Sequence, residues 1–386
     1  MSRLPYRRLA GFYFFYFAYI SAFGPYFSLY LKAVGLSAVE IGTVMALPQV
    51  TRIIAPHLWG WLADGGAGRM RVVRITAAIA IVCWLGMFAS TAFLWICAVL
   101  FAMTFFFSAA LPLLEATTLV HLGDETGRYG RIRLWGSIGF IVAVVGIGHA
   151  LDFVPVRALL WIVLALITGT FVCALIVPEV PPASNHADEP GATDVIRQPE
   201  VIALISACAL MAMAHGPYYT FYSIHVVNHG YSMSMTGWLW ALGVLCEIGI
   251  FFWMPHLYRA FSLRAILIAS FALAVVRFLM IGWAVDSTTV LVLAQTLHAA
   301  TFGSFHAAAI GVVHRMFRGA HQARGQALYA SFSFGLGGML GSLASGYAWD
   351  KWGAAITYSL AAACALVGML ILWWKLELPE AVSRRA

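Results

Sequence analysis

Apolar residues gather along the chain into twelve blocks, at positions 9–31, 39–63, 72–90, 93–119, 132–151, 156–177, 201–226, 235–254, 263–285, 289–313, 326–349 and 354–374. Each runs to roughly 20 residues, enough for a helix rising about 1.5 Å per residue to cross about 30 Å of hydrocarbon. Lipid offers a bare backbone no hydrogen-bond partner, so blocks of this length are predicted to be helices; the alternating segments of a membrane β-barrel are missing. The pattern predicts an all-α membrane protein with twelve transmembrane helices. Polar positions divide the blocks six and six. The divider, 178–199, holds five prolines and a run of Asp, Glu, Ser and Asn, a composition that cannot bury an apolar face and reads as a solvated linker. The expected organisation is an N-terminal bundle over 1–177, the linker 178–199, and a C-terminal bundle over 200–386. Gly148-His149-Ala150-Leu151-Asp152 closes block five and Gly346-Tyr347-Ala348-Trp349-Asp350 closes block eleven. That echo fits two pseudo-symmetric bundles around a central cavity.

Composition sharpens the class. The chain is 62% hydrophobic and 10% charged, whereas soluble proteins carry about 25% charged residues. The net charge of +7 does not point to nucleic acid, because the basic residues are scattered over short loops instead of gathered on one motif. With the first residues cytoplasmic, 18 of the 23 Lys and Arg face the cytoplasm; Lys32, Arg157 and Lys351 fall outside, and Arg52 and Arg277 lie within helices. That bias is expected of a bacterial-type inner-membrane protein with both termini and the linker cytoplasmic. Arg3, Arg7 and Arg8 resemble the start of a signal peptide, but the apolar block that follows lacks a small-residue cleavage site, so an uncleaved first helix is expected. Cys83, Cys97, Cys173, Cys208, Cys246 and Cys364 all fall inside apolar blocks without short paired spacing, which argues against zinc and against a disulfide framework.

The loop after block two reads Gly60-Trp61-Leu62-Ala63-Asp64-Gly65-Gly66-Ala67-Gly68-Arg69-Met70-Arg71. Gly60 is expected to permit close helix contact, and Asp64, with Arg69, to latch the cytoplasmic side by pairing with a helix end or a cation. The alternative is a set of solvated loop charges that only anchor topology. The stretch resembles the signature of the major facilitator superfamily in which glycine, a following aspartate and basic residues join helices two and three, except that Gly65 stands where a basic residue is usual. Pro112-Leu113-Leu114-Glu115-Ala116 and Tyr129-Gly130-Arg131-Ile132-Arg133-Leu134-Trp135-Gly136-Ser137 resemble the lactose permease branch and, within it, the phenylpropionate permease group; the similarity extends over essentially all twelve blocks. The resemblance implies the major facilitator fold. It further implies that Glu115 and Arg133 engage substrate and that Phe140 holds the place of an aromatic residue that stacks on the ligand. Arg277 and His298 match an arginine and a histidine that serve proton coupling. The branch's helix-eight acid lies about one turn before Glu247, and its helix-ten acid is replaced by Thr301, which leaves Glu247 as the candidate proton-carrying carboxylate.

An unpaired charge at mid-bilayer costs about 2.5–3.5 kcal/mol even on a mild insertion scale, so buried ions need partners or a wet cavity. Glu115 and Arg133, joined by a short connection, are expected to meet across an antiparallel helix pair. They are either a cavity pair that offers a guanidinium fork to carboxylates or hydroxyls, or a structural salt bridge near the interface. Glu247, Arg277, His298 and His306 lie at central depth. Burial favours the neutral carboxyl and a neighbouring cation the ionised one, so movement of Arg277 is expected to switch Glu247. His298 is expected to relay a proton or donate to substrate. His306 lies about 80° further round an α-helix and, with His225 and His314, reads as packing. Arg52 either meets an anionic substrate on the cavity wall or snorkels to the interface.

Block one holds too many Tyr and Phe for one lipid face, which makes Tyr26 a candidate wall residue. Block seven breaks at His215-Gly216-Pro217 and continues into Tyr218 and Tyr219, so His215 and Tyr219 are candidates as well. Stacking rings with a guanidinium to hold an acid suit a small aromatic carboxylate; membrane packing is the alternative for the rings. Gly335, Gly337, Gly338 and Gly341 are expected to permit close packing. The expected activity is proton-driven import of such a solute by alternating access, by a monomer with no cofactor or metal. Rivals on the same scaffold are drug or metabolite export and sugar or nucleoside symport; the resemblance implies that an exporter of this superfamily would carry a Gly-Pro signature late in helix five, and 141–151 contains no proline. No His-Glu-x-x-His or Gly-x-Gly-x-x-Gly motif suggests an enzyme.

Overall fold

A computed structural model describes residues 4–123, 125–180, 195–317 and 321–377. Most of the expected linker, 181–194, lies outside them. Among the described residues the chain is helical, with no strand. Its helices are α1 (Tyr6–Ala33), α2 (Ala38–Ala67), α3 (Arg69–Phe88), α4 (Phe93–Leu122), α5 (Tyr129–Leu151), α6 (Val156–Ile176), α7 (Pro199–Asn228), α8 (Met233–Ala260), α9 (Leu263–Trp283) and α10 (Thr288–Met316). The final stretch, Arg324–Lys375, folds back at Gly353, whose φ of 77° and ψ of −178° no helical residue adopts. It therefore forms two legs, α11 (324–352) and α12 (354–375). With α1, which is 28 residues long, the described chain makes twelve membrane-length helices, arranged as two six-helix bundles, α1–α6 and α7–α12.

Local sequence explains where several helices begin. Ser37 caps α2 in a reciprocal box with Glu40, and Ser232, Ser262 and Ser287 accept from backbone amides at the starts of α8, α9 and α10. Two slower-wound π turns, Ala299–Ser304 in α10 and Ala330–Gly337 in α11, interrupt regular α geometry in the second bundle.

Among the described residues the bundles touch toward one end. Toward the face opposite Tyr6, a Cβ on Gly42 would lie 2.6 Å from the Ser342 carbonyl and one on Gly148 would lie 2.6 Å from that of Met233; one on Gly237 would lie 2.6 Å from that of Val144. Small residues thus bring α2 against α11 and α5 against α8. Asp152, at the end of α5, accepts from the Met233 amide at 2.8 Å and the Ser234 amide at 3.3 Å, capping α8 across the bundle boundary. Lys32 donates to Asn228. Among the described residues, the hydrogen bonds, ring pairs and close glycine approaches that join the halves lie at or beyond the depth of Ile53 and Gly335. The molecule is closed at the far face and parted toward the face of Tyr6.

Among the described residues the Asp152 bridge has no twin: its echo Asp350 is exposed, and the facing start of α2 is capped by its own Ser37 and Glu40. Replacing Asp152 by Ala is expected to remove about 1 kcal/mol from the far-side closure, roughly a fivefold shift toward separation. Spin-label distances between the far ends of α5 and α8 should broaden accordingly; an unchanged distribution would show that the cap does not hold the closure.

Candidate functional site

Two charged clusters face each other across the cleft. In the first bundle, Arg133 Nε lies 3.7 Å from Glu115 Oε1, and the Tyr129 hydroxyl donates to the same oxygen at 3.3 Å. The guanidinium carbon stands 3.9 Å from the Phe17 ring centroid and 5.7 Å from that of Tyr13, a cation-π seat. Gly136 makes room for it, since a Cβ there would come within 2.8 Å of Arg133 Nη1 and 2.7 Å of Phe17. About a third of each partner's side chain remains exposed (32% for Arg133, 36% for Glu115), so the pair opens onto the cleft and is not locked in dry packing. Phe140, two turns beyond Arg133 on the same face of α5, is half-buried and has no ring partner among the described residues.

In the second bundle, α8 presents Glu247, whose Oε2 lies 3.7 Å from His298 Nε2. The π turn after His298 changes the register of α10: His298, Phe302 and His306 stack in one column, with ring planes 10° and 9° apart. The 80° offset expected for an α-helix is removed, because an i→i+5 winding turns less per residue. His306 then hydrogen bonds to the Tyr329 hydroxyl at 2.9 Å, a packing role.

Arg277 does not pair with Glu247 in this structure. It is fully buried and bonds to the Ala294 carbonyl at 3.0 Å, Thr301 Oγ1 at 3.2 Å and Gln295 Oε1 at 3.5 Å, with the Tyr218 ring 4.2 Å from its guanidinium carbon. Among the described residues no carboxylate pairs with it, and the partner of Glu247 is His298. Arg277 reaches that region through His215, whose Nδ1–H donates to the Met211 carbonyl at 2.8 Å and whose Nε2 accepts from Arg277 at 3.5 Å. Arg133, from the opposite bundle, lies within electrostatic range of Glu247.

Other expected site residues separate. Tyr219 is half-buried, its ring stacked on His215 at 5.9 Å, and lies near the clusters. Tyr26 does not: it is fully buried in the far-side closure, with its hydroxyl on the Val144 carbonyl at 2.7 Å, because Gly148 and Gly237 leave room for it there. Gly60 permits no close contact, since a Cβ there would meet nothing within 4 Å. Asp64 pairs with Arg69 at 3.4 Å inside its own loop. The α3 start in that loop is instead capped by Glu179, which accepts from the Met70 and Arg71 amides at 3.1 Å. Sequence reasoning missed Glu179, Gln295 and Tyr218 as partners; only Tyr218, beside the Gly216-Pro217 break, carried a local signal.

The fold and these clusters are those of a membrane transporter. The family model described as "MFS_1 like family" matches residues 6–360, and the chain belongs to that family. It is 29% identical over 332 residues to the "Probable 3-phenylpropionic acid transporter" of Escherichia coli (strain K12), covering 85% of this chain and 87% of the relative. It is 26% identical to the maltose permease of Geobacillus stearothermophilus, covering 93% and 92%. A crystal structure of the nucleoside transporter NupG superposes with a TM-score of 0.85 at 17% identity, covering 97% of this chain and 99% of that one. The protein is a major facilitator transporter of small solutes, and it is not an enzyme.

Proposed function

We propose that this protein imports a small aromatic carboxylate together with protons across a bacterial inner membrane, with both termini cytoplasmic and the cleft of this structure opening inward. One bundle, 1–177, rocks against the other, 200–386, about the linker 178–199. The supporting observation is the pairing of Glu247 and His298 in one bundle, opposite a guanidinium of the other bundle that is already balanced by Glu115. In this reading Glu247 carries the proton, His298 shares it, and rocking changes how strongly Arg133 acts on the carboxylate. Arg277 is a fixed positive charge that holds His215 and Thr301 in place and does not move toward Glu247. The relative named for 3-phenylpropionic acid supports the choice of solute. Latching by Asp64 and Arg69 belongs to the alternate, inward-closed state in this reading. No cofactor takes part, and one chain is the working unit.

The test uses right-side-out vesicles with an acidic exterior. Labelled 3-phenylpropionate should accumulate faster than in protein-free vesicles, since a weak acid also crosses lipid passively toward an alkaline interior and reaches the same final ratio slowly. Maltose and a nucleoside serve as competing probes. Accumulation only when the interior is acidic would replace import by export; saturable uptake of maltose or nucleoside, but not of the acid, would replace the substrate.

A further inference from the structure

Three arginines sit within the membrane-spanning helices near the clusters, and two are accounted for. Arg133 faces Glu115 and Glu247, and Arg277 is buried with four hydrogen-bond partners. Arg52 differs. It is exposed midway along α2 and has no hydrogen bond, ion pair or ring contact among the described residues. Its neighbour Ile53 packs against Gly335 of α11 at the lower edge of the far-side closure, so Arg52 stands where the closed part gives way to the cleft. Tyr16 and Tyr19 of α1 and Tyr219 of α7 lie within its electrostatic reach. Gln49, one turn before it, and Ile53 both meet glycines of α11, which puts Arg52 on the side of α2 turned toward the other bundle. The hydroxyls of Tyr16 and Tyr219 have no partner among the described residues.

We propose that Arg52 is the anion-holding residue of the transport site: it takes the carboxylate of a monoanionic aromatic solute whose ring lies among Tyr16, Tyr19 and Tyr219. The proposal rests on the transport reading above and deepens it by separating two roles. Arg133 is already paired, so it orients the solute and answers Glu247, while the unpaired guanidinium supplies the charge that selects an acid over a neutral molecule. The charge balance agrees. With both acids ionised the empty site carries one positive charge; a proton on Glu247 together with the solute's carboxylate leaves that charge unchanged, whereas a proton taken up with a neutral sugar or nucleoside would raise it.

Binding to the purified protein by calorimetry tests this with two probes of nearly equal shape, 3-phenylpropionate and 3-phenylpropanamide. The native protein should prefer the acid. Arg52→Gln should weaken the acid about tenfold or more and leave the amide unchanged, which erases the preference. Arg52→Lys should retain part of it, and Arg133→Gln should weaken both probes together. Thermal unfolding without ligand identifies any variant that fails to fold, and the lysine variant then carries the test. Equal losses for acid and amide in Arg52→Gln, an undiminished acid preference, or no acid preference in the native protein each overturn the proposal. An acid preference that survives Arg52→Gln alongside proton-driven accumulation removes this inference and leaves the transport reading. Arg52-dependent acid binding without such accumulation does the reverse.

Discussion

Glu247→Gln is expected to abolish the protein-mediated part of uphill 3-phenylpropionate accumulation while leaving exchange of the solute across the membrane. Glutamine keeps the size and hydrogen-bonding capacity of a neutral carboxyl but cannot release a proton, so the site still binds and rocks yet no longer couples the two fluxes. The geometry singles out this residue. Glu115 has a permanent cation 3.7 Å away, whereas the partner of Glu247 is an imidazole that is charged only when protonated. One proton per solute over a gradient of one pH unit supports roughly tenfold accumulation. In vesicles the native protein should approach that ratio quickly, and the variant should follow the slow passive course of protein-free vesicles. Counterflow of labelled against unlabelled solute should persist in the variant and lose its dependence on pH. Accumulation at the native rate in Glu247→Gln would move the proton to another group, with His298 next in line.

The course of the chain was legible because lipid makes the rule strict: a backbone in hydrocarbon must be helical, so apolar length alone marks the spans. The meeting of Glu115 with Arg133 was legible for a related reason, since a short connection between antiparallel helices leaves little freedom for two buried charges on facing sides. What escaped depends on geometry that residue spacing does not encode. The π turn at Ala299–Ser304 realigned His298 with His306, and nothing in Ala-Ala-Thr-Phe-Gly-Ser announces a change of winding. The partners of Arg277 were not legible, because a buried cation ordinarily wants an anion. Its charge is instead spread over a carbonyl, a hydroxyl, an amide oxygen, an imidazole and a ring, neutral groups found in any membrane helix. Tyr26 looked like its aromatic neighbours in α1, and only the depth at which α5 and α8 close decides that its hydroxyl is used for packing.

That closure also makes the far-side glycines the most sensitive positions for transport outside the charged clusters. Gly42→Trp is expected to reduce transport to a few per cent or less while leaving solute binding intact. A Cβ alone would stand 2.6 Å from the Ser342 carbonyl and 2.8 Å from Gly346 Cα, backbone atoms that can yield only if α2 and α11 separate. Forcing atoms into such a contact costs about 1–3 kcal/mol for one or two methylenes, and an indole exceeds that by far. Alternating access passes through a state closed at this face, so a protein that cannot adopt it holds its far face open and completes no cycle. Spin-label distances between the far ends of α2 and α11 should lengthen. Gly42→Ala should fall between the two, since its methyl group meets the same carbonyl. Gly249→Trp is the matched control: it is an exposed position in α8 where a Cβ meets nothing within 4 Å, and transport there should stay close to native. Native transport rates in Gly42→Trp would mean that α2 and α11 need not meet during the cycle, and the far-side closure would then be no part of it.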